Sequence, residues 1–205
     1  MRVSREGFGW GDLLAVLWLV LVFYWVLAAR NAPKARAVEG LGPGLASSGI
    51  LLLSVDLLFG PSLPAGPLGA RFVPSSLWLG MTGTMITAAG LTFAIWARHH
   101  LGSNWSAATI IRVDHQLIRT GPYALVRHPI YSGVLLAMLG TALVIGSDRG
   151  LVAISLLLGG LLWKARREDG ILAREFGEVF ARYREGTGMW LPRLQIYCRR
   201  PIRSV

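Results

Sequence analysis

Five stretches of the chain are apolar and nearly free of charge, and polar or proline-bearing segments separate them. The first runs from Leu13 to Ala29, long enough to cross a hydrocarbon core as one helix. A second covers Leu45 to Phe59, after a Gly/Pro-containing linker at Gly40–Gly44, and a third covers Ser76 to Trp96. Between the second and third lie Pro61, Pro64, Pro67 and Pro74, and a segment so interrupted cannot be helical throughout. Two more runs, Ile130–Ile145 and Leu151–Trp163, flank Gly146-Ser147-Asp148-Arg149-Gly150. So short a connection makes its neighbours antiparallel, which predicts a helical hairpin whose outer ends return to one side. After it, the charged segment Lys164–Tyr183 repeats Ile171, Leu172, Phe176, Val179, Phe180 and Tyr183 at helical spacing. This predicts an amphipathic helix leaving the membrane.

The pattern predicts an all-α, polytopic integral membrane protein with about five transmembrane helices. Residues 1–97 hold three spans, and residues 98–205 hold a polar loop, the hairpin and a tail. Gly80, Gly83 and Gly90 in the third run, with Thr and Ala between them, predict close helix packing in lipid. The second run carries Asp56 shortly before Gly60-Pro61; the interface end of a short helix accounts for it better than a buried polar contact in the membrane does.

Composition agrees. The chain is 53% hydrophobic and 16% charged, against about a quarter charged in soluble domains. The net charge is +10, and all but Arg2, Arg5, Arg71 and Arg149 of the 21 Lys and Arg fall on one predicted side. That side carries Arg30–Arg36, the Arg98–Arg127 loop and the C-terminus, so the positive-inside rule puts it in the cytoplasm and the N-terminus outside. An anionic lipid surface accounts for the basic excess, and without a recognisable binding motif no nucleic-acid partner is expected. The apolar run after Arg2 and Arg5 is long and lacks a small-residue cleavage site, so it reads as a retained helix. Cys198 is the single cysteine; it allows no internal disulfide and reads as a bystander.

Candidate chemistry concentrates in two places, His99–His128 and Lys164–Asp169. The hairpin alone brings His128, Tyr131, Lys164, Arg167 and Glu168 to one membrane edge. His99, His100, His115 and His128 lack the converging spacing of a zinc site, so no metal is expected. Ser132 lies near His128 without a Gly-x-Ser-x-Gly elbow, and neither a P-loop nor a dinucleotide fingerprint is present. The segment Thr120–Gly133 remains. Gly121-Pro122 makes a turn, and His128-Pro129 restricts the backbone and starts a helix. With Tyr123 and Tyr131 beside it, this corner can hold a small molecule having an aromatic part, a carboxylate and a cationic centre. It can equally be an interfacial aromatic belt with a helix-starting proline. Spacing alone leaves both open.

The residues Arg127-His128-Pro129-Ile130-Tyr131-Ser132-Gly133, preceded by Thr120-Gly121-Pro122-Tyr123, resemble the isoprenylcysteine carboxyl methyltransferase family of membrane methyltransferases. Upstream, His115-Gln116-Leu117-Ile118 resembles that family's His-x-Leu-Val stretch. Downstream, Glu168-Asp169, Phe176-Gly177 and Tyr183 resemble its Glu-Glu, Phe-Gly and Tyr ending. The resemblance covers roughly Leu101 to Pro192. It implies S-adenosylmethionine as cofactor, with S-adenosylhomocysteine as product. The positions it assigns to the cofactor are His115, Gln116, Leu117, Ile118, Tyr123, His128, Pro129, Ile130, Tyr131 and Glu168. It assigns substrate contact and catalysis to Lys164, where the family tends to have arginine. Lysine cannot form arginine's two-pronged contact with a carboxylate, and Arg167, next to Glu168, offers a second candidate for that task. The implied reaction moves a methyl group to a hydrophobic or lipid-like acceptor, a carboxylate or thiol of an isoprenylcysteine-type substrate or a related small molecule. The implied setting is the lipid bilayer of a bacterial inner membrane. A small transporter or a non-catalytic scaffold is the alternative. Transporters place charges at the membrane midplane, often in repeated halves, whereas this chain has no internal repeat and carries its charges at the edge.

Overall fold

The computed structural model describes residues 9–30, 41–60, 70–71, 73–102 and 117–193. Six helices occupy them: α1 Trp10–Arg30, α2 Leu41–Phe59, α3 Leu77–Leu101, α4 Pro122–Leu125, α5 Pro129–Ile145 and α6 Asp148–Gly186. Among the described residues there is no strand, only two isolated bridges, Arg71 with Ser147 and Val126 with Gly188. The fold is all-helical, as the apolar pattern predicts.

Several boundaries differ from the sequence expectation. Helix α2 begins at Leu41 and runs through Gly42-Pro43-Gly44, which the composition marks as linker. Proline is tolerated in a first turn, where its missing N–H has no partner to lose. The hairpin turn shrinks to Gly146 and Ser147, because Asp148, Arg149 and Gly150 already belong to α6. Gly146 takes a left-handed φ of 63° and donates its N–H to Ala142 O, closing α5, and Asp148 sits in the favourable first turn of α6. Hydropathy marks where a helix meets lipid, whereas caps mark where it ends. For the same reason α6 continues past Trp163 as far as Gly177, whose non-helical φ of 48° suits glycine and breaks the helix, and a second helical segment carries it on to Gly186.

The most intimate contact joins α3 to α5. A Cβ on Gly90 would lie 2.5 Å from Gly133 O and Ala137 N, and one on Gly133 would lie 2.6 Å from Gly90 O. Backbone therefore meets backbone, which only glycine permits. Gly83 meets Gly140 in the same way, and Gly80 abuts the Trp10 indole of α1. Buried polar groups reinforce the seam. Thr87 Oγ1 donates to Gly83 O at 2.9 Å and lies 3.3 Å from Thr141 Oγ1, to which Trp18 Nε1 donates at 3.0 Å. An apolar cluster of Leu57, Leu58, Met138, Ala142, Ala153 and Leu157 joins α2, α5 and α6.

Polar contacts tie the helix ends. Arg98 Nη2 donates to Ala28 O at 3.0 Å, so α1 and α3 finish together. At the other end of the molecule Arg71 pairs with Ser147, and Arg149 Nη1 reaches Gly60 O at 3.4 Å, so α2 finishes where α6 begins. Among the described residues, two helices, spanning Trp10–Ala28 and Leu77–Leu101, are long and apolar enough to cross a bilayer. Large apolar side chains such as Leu19, Phe23, Leu52, Trp78 and Met85 face outward, more apolar surface than a water-soluble monomer exposes.

Candidate functional site

The corner between α4 and α5 forms for local reasons. Gly121 has φ 58°, and a Cβ there would strike the His100 ring at 2.7 Å. Pro122 opens α4, Val126 is extended, and His128 stands just outside α5 with Pro129 at its first position. His100 stacks on Tyr123, with ring centres 6.5 Å apart, and its Nε2 lies 2.9 Å from Thr120 Oγ1. The end of α3 thus supports the corner.

The hairpin's two open ends meet here through charges. His128 Nε2 lies 2.9 Å from Asp169 Oδ1, and His128 Nδ1 lies 3.4 Å from Glu168 Oε2. Arg127 Nη2 donates to Asp169 Oδ2 at 3.0 Å. Tyr131 donates its hydroxyl to Glu168 Oε1 at 2.6 Å, and Lys164 Nζ stands 3.8 Å from the same oxygen. The His128 and Tyr131 rings are stacked, 5.4 Å apart and 4° from parallel.

A strap from the C-terminal side closes over this cluster. The backbone N–H groups of Arg127 and His128 donate to Gly188 O and Met189 O at 2.8 and 3.0 Å. Ser132 Oγ donates to Trp190 O at 2.9 Å, Arg127 Nη1 donates to Thr187 O, and Tyr183 donates its hydroxyl to Tyr123 O at 2.6 Å.

The electrostatics follow from these contacts. Burial opposes charge on His128, yet its bonds to Asp169 and Glu168 prevail and raise its pKa above the ordinary 6.5. Burial likewise opposes charge on Asp169, but the His128 and Arg127 contacts lower its pKa below the ordinary 3.8. Burial pushes the Tyr183 hydroxyl up to about 12 and the Tyr123 hydroxyl higher still, so both stay protonated near neutrality.

Of the residues singled out from sequence, His128, Tyr131, Glu168 and Lys164 come together in the cluster. Tyr123 is buried behind it, Pro129 is buried, and Ile130 is half-buried in the first turn of α5. Leu117 and Ile118 are half-buried in the segment entering the corner, while His115 and Gln116 lie outside the described residues. Arg167 is exposed, with its guanidinium carbon 5.3 Å from the centre of the Trp163 ring. Sequence reasoning did not single out Arg127, Asp169, Tyr183 or the strap as parts of the site. A signal for the first two existed: opposite-charge neighbours, Arg127-His128 and Glu168-Asp169, stand at the two open ends of one hairpin. The strap acts largely through main-chain carbonyls, which no residue type announces. Among the described residues, no His, Cys, Asp and Glu group has the form of a metal site.

Comparison with known proteins locates the same region. A family model described as phospholipid methyltransferase matches residues 78–179, from α3 through most of α6. The cobalt-zinc-cadmium resistance protein CzcN of Cupriavidus metallidurans is 32% identical over 150 residues, which are 72% of this chain and 62% of that protein. The chain thus spans less than two thirds of that relative's length. The protein-S-isoprenylcysteine O-methyltransferase of Schizosaccharomyces pombe is 33% identical over 84 residues, 38% of this chain and 34% of that one. Among solved structures, a eukaryotic intramembrane Ras methyltransferase, an isoprenylcysteine carboxyl methyltransferase, superimposes with a TM-score of 0.57 at 22% identity. That match covers 93% of this chain and 70% of the other, and it shows a shared fold.

Proposed function

The chain belongs to the isoprenylcysteine carboxyl methyltransferase-like family, and from that premise we propose that it transfers a methyl group from S-adenosylmethionine to a hydrophobic or lipid-like acceptor. The observation that carries the proposal is the pairing of Arg127 and His128 with Glu168 and Asp169 across the open end of the hairpin. The donor set suits a cofactor with an amino-acid tail and an aromatic base. Glu168 keeps 21% of its side chain exposed, against 10% for Asp169 and 6% for His128, so Glu168 is the carboxylate a ligand's ammonium group can reach. Trp190, whose carbonyl accepts from Ser132, carries a buried indole N–H without an acceptor among the described residues, a donor left over for a ligand.

S-adenosylmethionine would supply an electrophilic methyl group, and a carboxylate or thiolate acceptor needs no strong base. The protein's work is then positioning and exclusion of water. His128, Tyr131 and Glu168 hold the cofactor, and Tyr123 buttresses the corner from behind. Leu117 and Ile118, with His115, Gln116, Pro129 and Ile130, complete the cofactor assignment by the family pattern. Lys164, sharing Glu168 with Tyr131, is the residue for a substrate carboxylate, with Arg167 as second choice.

The same reading gives five spans, α1, α2, α3, α5 and the first part of α6, in a bacterial inner membrane. The N-terminus is outside, and the charged cluster and tail are cytoplasmic. Residues 1–97 then contribute lipid-facing helices and acceptor selection, and residues 98–205 the cofactor region.

Calorimetry with S-adenosylhomocysteine on the purified chain tests the proposal: wild type binds, and Lys164→Ala impairs turnover more than binding. Absence of binding by wild type ends the methyltransferase reading. A labelled-cofactor screen of lipid extracts and isoprenylcysteine analogues identifies the acceptor.

A further inference from the structure

The two carboxylates of the cluster are not equivalent. Both oxygens of Asp169 are engaged, Oδ1 by His128 Nε2 at 2.9 Å and Oδ2 by Arg127 Nη2 at 3.0 Å. It is also the more buried of the pair, and has no oxygen to spare for a ligand. Glu168 shares its oxygens among Tyr131, Lys164 and His128, the last two at the longer distances of 3.8 and 3.4 Å, contacts that an arriving group can displace.

His128 stands between them. A neutral imidazole has one N–H and one lone pair, yet both of its nitrogens face carboxylate oxygens. Carboxylates at both nitrogens favour the doubly protonated ring. The groups facing it are Glu168 and Asp169 from α6, the stacked Tyr131 from α5, and the neighbouring Arg127, which shares Asp169. Lys164 sits behind Glu168, and the protonated Tyr183 hydroxyl faces Tyr123 O. The strap contributes only main-chain carbonyls to Arg127 and His128. With the ring protonated, two carboxylates face three cations: Asp169 holds Arg127 and His128, and Glu168 faces His128 and Lys164.

We propose that Asp169 is a positioning residue of this site: by accepting from His128 Nε2 it turns Nδ1 of that ring to Glu168, and by accepting from Arg127 it ties the 187–190 strap to α6. The proposal deepens the methyltransferase reading and rests on it only for the identity of the ligand. Asp169 touches no ligand. It sets the angle at which His128 meets Glu168, and hence the shape of the place where an ammonium group arrives.

The test uses the full chain in detergent with ¹⁵N-labelled histidine, His128 being assigned by the signal lost in His128→Gln. In Asp169→Asn the titration midpoint of His128 drops by about one pH unit or more, and affinity for S-adenosylhomocysteine falls about tenfold or more. Asp169→Glu, which keeps the carboxylate, keeps the midpoint above that of the Asn variant. An unchanged midpoint in Asp169→Asn overturns the proposal, even where that variant melts at lower temperature. Should the Asn variant not fold, the wild type supplies the result: both ring nitrogens of His128 carry protons at pH 6.5, and a neutral ring there overturns the proposal. A wild type that does not bind S-adenosylhomocysteine sinks the methyltransferase reading and leaves the titration result standing.

Discussion

Helix α5 lives in two different environments. Along its length it is pressed against α3, with Gly133 and Gly140 facing Gly90 and Gly83 at backbone distance. At its start it meets α6 through a cluster of charges around His128. The first contact relies on the absence of side chains and the second on their charge. A close-packed backbone seam has one geometry and tolerates no insertion, which makes it a rigid base. An ion-pair cluster can exchange one partner for another, which is what the proposed binding site requires. One helix can serve both needs because the seam immobilises it while Arg127 and His128, just ahead of its first turn, carry the charges.

Substitutions separate the two. Gly90→Val puts a branched side chain where Gly133 O and Ala137 N already stand. It should cost about 3 kcal/mol or more, read as failure to purify as a monodisperse species or as a collapse in thermal stability. A folded Gly90→Val of wild-type stability would refute the rigid-seam account. Next, Glu168→Ala removes the partner of Tyr131, Lys164 and His128. It should leave the fold largely intact and weaken S-adenosylhomocysteine binding about tenfold to a hundredfold by calorimetry. Unchanged affinity in Glu168→Ala, His128→Ala and Tyr131→Ala together would put the ligand elsewhere.

The charge cluster should also respond to pH where the seam does not. The raised pKa of His128 contributes stability that is fully present below its ordinary 6.5 and lost as pH rises through the folded value. The lowered pKa of Asp169 contributes stability present above its ordinary 3.8 and lost as pH falls through its lower folded value. Thermal stability should therefore be greatest between those limits, and His128→Gln should abolish the decline on the alkaline side. A decline of equal size in His128→Gln would assign it to other groups.

Smaller effects belong to the seam's polar reinforcement. Thr87→Ala loses bonds to Gly83 O and Ala137 O and should cost about 0.6 kcal/mol, the usual size for hydrogen bonds between membrane helices. Gly159→Ala should be neutral or slightly stabilising, because nothing lies within 4 Å of the added methyl. Together with Gly90→Val it asks whether glycine matters for its contact or merely for its abundance.

The glycines Gly80, Gly83 and Gly90 were readable as packing positions because small residues in lipid have few other uses, but which helix they meet was not. That assignment depends on how the chain returns after the segments between α3 and α5. The hairpin was readable from two apolar runs joined by a few polar residues, and it brought His128, Tyr131, Lys164 and Glu168 to one edge. Asp169 was present in the motif but had no stated task, because its partners lie 41 and 42 residues earlier in the chain. The turn at Gly146–Ser147 and the long reach of α6 escaped hydropathy because capping and backbone angle set them.

The sequence by itself determined that the protein is helical and carries runs of Leu, Val and Ile long and apolar enough to cross a bilayer. It also determined that His128-Pro129 starts a helix, because proline restricts the residue before it. Only the tertiary structure decided which carboxylate meets which cation. Glu168 and Asp169 are neighbours in the chain with nearly the same chemistry, and their difference lies in direction. The Asp169 side chain reaches Arg127 and His128 and is buried, while that of Glu168 reaches Tyr131 and Lys164 and remains accessible. Successive residues on a helix point about 100° apart, so the position of α5 beside α6 selects which one is buried in the cluster and which one remains accessible.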